Sequence, residues 1–367
     1  MSGTSVDGLD IAYVQINDKD KLKINLIEFE TVTIPFKLKN KIIKSFAHKE
    51  TSRFFCSLNF EIGKFFGDSV NNFIKKHNIA HNEIDYISSH GQTIYHLIDP
   101  KNDEIKSTLQ FGDISIIAKT TNIPVIGDFR PADMGVGGEG APLVVYPDYL
   151  LFNDNNEVRL LQNIGGISNV TVLNNDINKV FAFDNGPGNV LIDMAVKHFF
   201  NLDYDKDAKI AKNGKIINEI IDFLLLDDYY EKQPPKTTGR EKYNKQLLDI
   251  LIKKFDSFSP FDIVRSITYF TSLTIANSYK KFVIKPENKY SVYLSGGGAN
   301  NPLILQDLKT LLPQVNVATS NDLGINSDAK EAIEFALLGY LFVKNLNGNL
   351  PKATGARDFT ILGKLAK

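Results

Sequence analysis

The stretch RLLQNIGGISNVTVLNNDINKVFAFDNGPGN, residues 159–189, decides the fold. LLQNI runs into the glycine pair Gly165 and Gly166, ISNVTVL returns from it, and KVFAFDN is a third apolar run that ends at Gly186, Pro187 and Gly188. Three short β-type runs separated by turn residues read as an antiparallel meander. Glycine admits positive φ and lets backbone N–H groups approach a ligand closely, so turns of this kind build an anion-binding surface, with phosphate the first ligand to suspect.

Working outward, helical periodicity fills most of residues 190–285. KYSVYLSGGGANN from Lys289 and NVATSND from Asn316 then supply two short strands, the first ending at Gly296, Gly297 and Gly298. The first half has the same order. LDIAYVQI and INLIEFETVTI form a hairpin after the turn MSGTSVDGLD, amphipathic helices occupy residues 37–77, and IDYISSHG and IPVIGDFR form a pair of short strands around the helix-like ISIIAKTT. A duplicated β-β-β-α-β-α-β order follows, with the two halves facing each other across a cleft. One asymmetry stands out: LLQNI leads into the glycine turn of the second half, whereas the turn of the first half begins at Met1. Either that strand is absent or the natural start lies upstream.

A chain of 367 residues exceeds the size at which one core keeps growing, so two domains are expected. They are drawn at residues 1–130 plus 345–367 and at 131–344. Lys plus Arg (42) nearly equals Asp plus Glu (43) with no basic block, which points away from nucleic acid. The one cysteine, Cys56, excludes an intrachain disulfide and reads as a buried or half-buried thiol in a reducing cytoplasm. With no apolar run of 18 residues and no signal peptide, the expected location is cytoplasmic and off the membrane.

GTSVDG lacks P-loop spacing, so a Walker-type nucleotidase is disfavoured. Gly3, Thr4, Ser5 and Gly8 would wrap phosphates, and Asp7 or Asp10 would hold hydrated Mg²⁺, an ion that takes one or two carboxylates. The bland alternative is a hairpin turn. Asp184 stands at the end of its apolar run, either aimed at a ligand or making an Asx turn. GDFRPAD offers Asp128, Arg130 and Asp133 as a ligand clamp or as an ion pair bracing a loop. GGEGAP from Gly137 reads as a mobile hinge or lid loop, and Arg240 in QPPKTTGRE is a phosphate or carboxylate contact or a plain solvated connector. Ser327 or Asp328 would cap a helix carrying Glu331 in its first turn, where the helix dipole is the plain explanation.

Taken in order, MSGTSVDGLD, SHGQTIYH, GDFRPADMGVGGEGAPLV, NIGGISN, FDNGPGN, TTGRE, LSGGGANN, KEAIEFALLG and NLPKATGA resemble the anhydro-N-acetylmuramic acid kinases, from Met1 almost to the end of the chain. The resemblance implies an α/β fold of the duplicated, two-domain, ribonuclease H-like type shared by hexokinase, Hsp70 and actin, with an interdomain active-site cleft. It also implies a reaction in which 1,6-anhydro-N-acetylmuramic acid, ATP and water give N-acetylmuramic acid 6-phosphate and ADP, within peptidoglycan recycling and amino-sugar catabolism. By the same resemblance Asp184 is the general base and Glu331 a second catalytic carboxylate. Gly3 to Asp10, including Val6, Asp7 and Leu9, form the ATP loop together with Gly165, Gly166, Gly186, Gly188, Gly296, Gly297 and Gly298. His90, Gln92, Arg130 and Asp133 face the sugar. The expected cofactors are ATP and Mg²⁺, and a homodimer is the candidate assembly. The family's usual cysteine after the aspartate is Asn185 here, and its APLVP is APLVV. An ordinary sugar kinase acting on a free hydroxyl is the runner-up, and an ATP clamp whose nucleotide drives partner binding is a third class.

Overall fold

The computed structural model describes residues 1–3, 6–19, 22–324, 326 and 328–367. They gather into two compact units, one of Met1–Leu151 with Asp328–Lys367 and one of Phe152–Ser327.

In the Phe152–Ser327 unit the meander forms as its alternation demands. Val158–Ile164, Ile167–Leu173 and Phe181–Pro187 pair antiparallel in sequence. Tyr290–Ser295 adds parallel to the other edge of Val158–Ile164, and Asn316–Thr319 adds parallel beyond it. The central strand is therefore Val158–Ile164, and Leu160 and Ile164 on it are fully buried. Helix Pro260–Phe282 opens on Ser259, whose hydroxyl accepts from the Asp262 N–H, with Pro260 in its first turn. It buries Ile263, Ile267, Phe270 and Ile275 in the same core as the sheet. Its small polar residues let it approach the glycine turns: Thr271 Oγ1 donates to the Gly188 carbonyl at 2.9 Å.

In the unit containing Met1, Leu9–Asn17 and Lys23–Val32 form the antiparallel hairpin, in register from Leu9 opposite Val32 to Asn17 opposite Lys23. Ile87–Ser89 pairs parallel with Val125–Gly127, whose other edge takes Lys364–Ala366. These three strands and the hairpin are separate sheets. Helices Phe36–Ser45, Ser52–Lys76, Ile114–Thr121 and Lys330–Val343 supply the packing faces, with Leu58, Ile62 and Phe66 in one core cluster and Phe335 and Leu338 in another.

Several expectations need correction. Gln92–Leu97 and Ser107–Phe111 form a second hairpin where the sequence reading had none, because each strand is too short for its alternation to stand out. Asp184 lies inside a strand, not at its end, because Gly186 and Pro187 continue pairing with Ser168 and Ile167. Cys56 is exposed, on the outer side of a helix that turns other residues inward. Ala329 occupies the N-cap position of the Lys330–Val343 helix, not Asp328, while Ser327, Thr4 and Ser5 lie outside the described residues.

Candidate active site

Three glycine turns of the Phe152–Ser327 unit converge because nothing larger fits. A Cβ on Gly188 would lie 2.2 Å from the Gly165 carbonyl oxygen, and one on Gly298 would lie 2.2 Å from Ile164 Cγ2. Gly296 has φ 76°, a left-handed conformation, and its Cβ would meet Asn163 Oδ1 at 2.5 Å. The Asn189 N–H donates to the Gly165 carbonyl at 2.7 Å and its side-chain amide to the Ile164 carbonyl at 3.3 Å, tying the turns together. A cavity of about 550 Å³ opens beside Asn189 and Gly297, lined also by Asp193, Asp205 and Asn301. Burial pushes the Asp193 carboxyl up to about 6, against the pull of Arg240. Arg240 itself lies over Gly166, its guanidinium 3.6 Å from where a Cβ would be. A bare glycine backbone with a guanidinium above it is a phosphate site in character.

Asp184 shares this unit. Its N–H donates to the Lys236 carbonyl at 3.0 Å, its carbonyl accepts from the Tyr229 hydroxyl at 2.7 Å, and its Oδ2 accepts from the Thr238 N–H at 2.9 Å. The loop of residues 233–240 is therefore laid along this strand by main-chain bonds. Burial raises the Asp184 carboxyl above its usual range, the Thr238 N–H pulls it down, and Glu241 adds a small upward push. A carboxylate with an elevated proton affinity and one oxygen pinned is suited to accept a proton from a bound water. Asn185 is turned away, its amide donating to Ser278 Oγ at 2.7 Å inside the core.

In the other unit Val6 is buried at φ 55°, strained for a β-branched residue, and its N–H donates to the Gly3 carbonyl at 3.2 Å. Asp7 is exposed, Leu9 is buried at the strand start, and Gly8 sits where a Cβ would meet Thr31 Cγ2 at 2.5 Å. Asp10 Oδ1 accepts from Thr31 Oγ1 at 2.6 Å. Gln92 is fully buried beneath the turn: its Oε1 accepts from Ser2 Oγ at 2.6 Å and its Nε2 donates to the Gly3 carbonyl at 3.2 Å. These bonds make it a brace for the glycine loop.

His90 and Arg130 meet directly. Burial and then the nearby guanidinium hold the His90 imidazole down to about 3, so it is neutral. Its Nδ1–H donates to the Gly91 carbonyl at 2.8 Å and its Nε2 accepts from Arg130 at 2.8 Å. Arg130 also donates to the Gly140 carbonyl at 2.6 Å, while its Nε is buried without a hydrogen-bond partner. Asp133, fully buried, is saturated: it accepts from the Gly140 N–H, Asn349 Nδ2 and Thr354 Oγ1, each at 2.8 Å. It thereby fastens residues 138–140 to the C-terminal segment, as does the Glu139 N–H to the Thr354 carbonyl at 2.7 Å. The glycine-rich stretch expected as a hinge is thus anchored at both ends.

Glu331 stands in the first turn of its helix, exposed yet recessed, and burial raises its carboxyl. Lys330, the Met1 ammonium and Arg130 oppose that rise, while Asp10 adds to it. Asp10, Arg130 and Glu331 therefore share one electrostatic neighbourhood. Behind it, Lys330 bridges two buried carboxylates, Asp148 at 2.7 Å and Glu334 at 2.5 Å. The sequence reading missed this triad, Asp193 and the main-chain contact from Thr238. No cluster of three or more ligand side chains suited to a metal exists among the described residues.

The anhydro-N-acetylmuramic acid kinase family model matches residues 1–367. A relative from Caldanaerobacter subterraneus named anhydro-N-acetylmuramic acid kinase is 41% identical over 377 residues, covering 100% of this chain and 95% of the relative. One of the same name from Clostridioides difficile is 40% identical over 369 residues, covering 100% of this chain and 96% of the relative. Among solved structures, the activator of the 2-hydroxyisocaproyl-CoA dehydratase from Clostridium difficile with bound ADPNP is 12% identical, with a TM-score of 0.41 over 91% of this chain and 96% of the other.

Proposed function

Because the chain belongs to the anhydro-N-acetylmuramic acid kinase family, we propose that its Asp184 is the general base of a reaction that joins hydrolysis of the anhydro bridge to phosphoryl transfer. The enzyme is a kinase that uses ATP and acts on anhydro-N-acetylmuramic acid. The 1,6-anhydro bridge leaves no free 6-hydroxyl, so a nucleophile for phosphorus must be made during the reaction. Water attacks C1 and loses a proton to Asp184, the C1–O6 bond breaks, O6 bonds to the γ-phosphorus, and the bond from that phosphorus to ADP breaks. Inversion at C1 follows from direct displacement by water.

The observation that carries this reading is the Asp184 carboxylate, raised by burial, pinned through Oδ2 by the Thr238 N–H, and set in the unit where three glycine turns and Arg240 form a phosphate-type surface. Gly165, Gly166, Gly186, Gly188 and Gly296 to Gly298 are the ATP-binding turns of that unit in this proposal, and Gly3 to Asp10 supply those of the other. His90 presents Arg130 to the sugar, with Gln92 and Asp133 bracing the loops that hold them. Glu331 orients the attacking water. Asp10, with Glu331 in the same electrostatic neighbourhood, would hold Mg²⁺, which would supply charge neutralisation for the phosphates. Cytoplasmic location and a homodimer complete the proposal; among the described residues no helix is long and apolar enough to cross a membrane.

The test is the reaction in ¹⁸O water with 1,6-anhydro-N-acetylmuramic acid and ATP, the product analysed by mass spectrometry. Label on C1 of the 6-phosphate with one ADP per sugar is the expected result. Label in phosphate, or equal turnover of N-acetylglucosamine, would overturn it in favour of ATP hydrolysis or an ordinary sugar kinase.

A further inference from the structure

In the loop QPPKTTGR, residues 233–240, the buried residue is a lysine: Lys236 is 7% exposed, while every other position there is exposed or half-buried. Lysine is almost never buried unless its charge is paired, yet among the described residues no carboxylate forms an ion pair with it. Glu231, the acidic group that acts on it, is engaged by Lys281. What receives the ammonium is aromatic. Its Nζ lies 4.7 Å from the ring centre of Tyr229 and 4.8 Å from that of Phe282, and it donates to the Tyr229 carbonyl at 3.1 Å. Two rings and a carbonyl favour a cation and do little for a neutral amine.

This cage is built from the groups that fix Asp184. The Tyr229 hydroxyl donates to the Asp184 carbonyl at 2.7 Å, the Asp184 N–H donates to the carbonyl of Lys236 itself at 3.0 Å, and the Thr238 N–H, two residues on, holds Oδ2 at 2.9 Å. Phe282 packs edge-on against Phe183, the residue before Asp184, with ring centres 6.2 Å apart. One side chain therefore joins the Asp184 strand, the loop, the turn that carries Tyr229 and the end of helix Pro260–Phe282. A purely structural tie needs no charge: a stem of the same length ending in a methyl group fills the same space without burying an ammonium.

We propose that Lys236 is a positioning residue for the reaction: its ammonium, caged by Tyr229 and Phe282, holds Tyr229 and the 236–238 backbone against the Asp184 strand, so that the carboxylate is aimed only while the cage contains a cation. This rests on the reading of Asp184 as general base. The groups that face the ammonium are Lys281, Glu231 and Tyr229, the last kept protonated because burial raises its hydroxyl. Lys242, paired with Asp227 at 2.6 Å, lies 5.1 Å from the same Tyr229 ring centre. Burial holds the Lys236 ammonium down to about 8, Lys281 pushes the same way and Glu231 opposes. The cage therefore loses its charge on the alkaline side of neutrality. Stability runs in the other direction. With the folded value below the ordinary 10.5, the ammonium costs the fold in full below about pH 8, and that cost fades as pH rises towards 10.5.

The test is kcat and KM, read by ADP release with 1,6-anhydro-N-acetylmuramic acid between about pH 6 and 10, for the wild type, Lys236→Met, Lys236→Arg, Asp184→Asn and the double variant Asp184→Asn with Lys236→Met. Wild-type kcat is expected to fall above about pH 8. Lys236→Met keeps the stem without the charge; it should melt no lower than wild type at neutral pH, keep both KM values and lose kcat by about 10- to 100-fold, with no alkaline fall. Lys236→Arg carries a cation throughout this range and should recover most of that loss while also lacking the alkaline fall. In the Asp184→Asn background Lys236→Met should cost nothing further, since no base is left to aim. Wild-type kcat in the methionine variant, an unchanged alkaline fall in the arginine variant, or losses that multiply in the double variant would overturn the positioning role and leave Asp184 as the base. Near-normal turnover in Asp184→Asn alone would overturn that reading and this one with it.

Discussion

Asp184→Asn removes the proposed base while keeping its frame. The Tyr229 hydroxyl bonds the main-chain carbonyl of residue 184, and the Asp184 N–H to Lys236 bond is also main chain, so both survive. An asparagine oxygen can accept from the Thr238 N–H in place of Oδ2. ATP and sugar should therefore bind with near-normal affinity, and the loss should fall on kcat. Losing a positioned base costs a factor of about 10² to 10⁴, which is roughly 3–6 kcal/mol of barrier at about 1.4 kcal/mol per decade.

Stability should move the other way. Burial raises the folded carboxyl above its ordinary value of 3.8, so the ionised group destabilises the fold at neutral pH, and that cost fades as pH falls through the folded value. The asparagine variant should thus melt at or above the wild-type temperature at pH 7, with the gap closing below about pH 4. For the wild type, kcat should fall on the acid side through a group titrating above 3.8, and the variant should lack that limb. The assay is ADP release with the anhydro sugar, read beside calorimetry from pH 4 to 8. A kcat within about tenfold of wild type, or a loss confined to KM, would refute the assignment.

His90, held neutral by burial and by Arg130, should show no imidazole titration by NMR between pH 5 and 8, and His90→Ala should weaken sugar binding through a displaced Arg130. Lys330→Met strands Asp148 and Glu334 as buried unpaired carboxylates and should cost about 3–5 kcal/mol, measured by denaturant unfolding. Because burial drives the Glu334 carboxyl well up, that loss should shrink at acid pH as the stranded Glu334 takes a proton. Gly188→Ala drives a Cβ into the Gly165 carbonyl and should destabilise by about 1–3 kcal/mol, with ATP affinity reduced in titration calorimetry.

The sheet of the Phe152–Ser327 unit was legible because its short β-type runs are set off by glycine-rich turns; Val158–Ile164 and Gly165 to Gly166 announce themselves. Asp184 was conspicuous for the same reason, as a carboxylate set between Phe183 and the turn of Asn185 to Gly188, although its place inside the strand was not read. The hairpin of Gln92–Leu97 and Ser107–Phe111 was hidden, since pairing across residues 98–106 is a tertiary event without local periodicity. The bracing by Asp133 could not be read from sequence, because two of its three partners, Asn349 and Thr354, lie far away along the chain. The Lys330 triad was invisible likewise: its third member, Asp148, lies on another element. The support of Asp184 by Thr238 leaves no side-chain signature at all, because the donor is a peptide N–H.

That last contact has an evolutionary consequence. A carboxylate steadied by the peptide N–H of Thr238 is indifferent to the side chain at that position, so this bond places no demand on the composition of the loop. The loop is not free to drift in length. One inserted or deleted residue between 234 and 240 would shift the donor by a residue spacing and leave the carboxylate unheld, and proline at 238 would delete the donor outright. Descendants of this sequence should therefore record substitutions in the loop and almost no insertions or deletions, a pattern set by a single amide hydrogen.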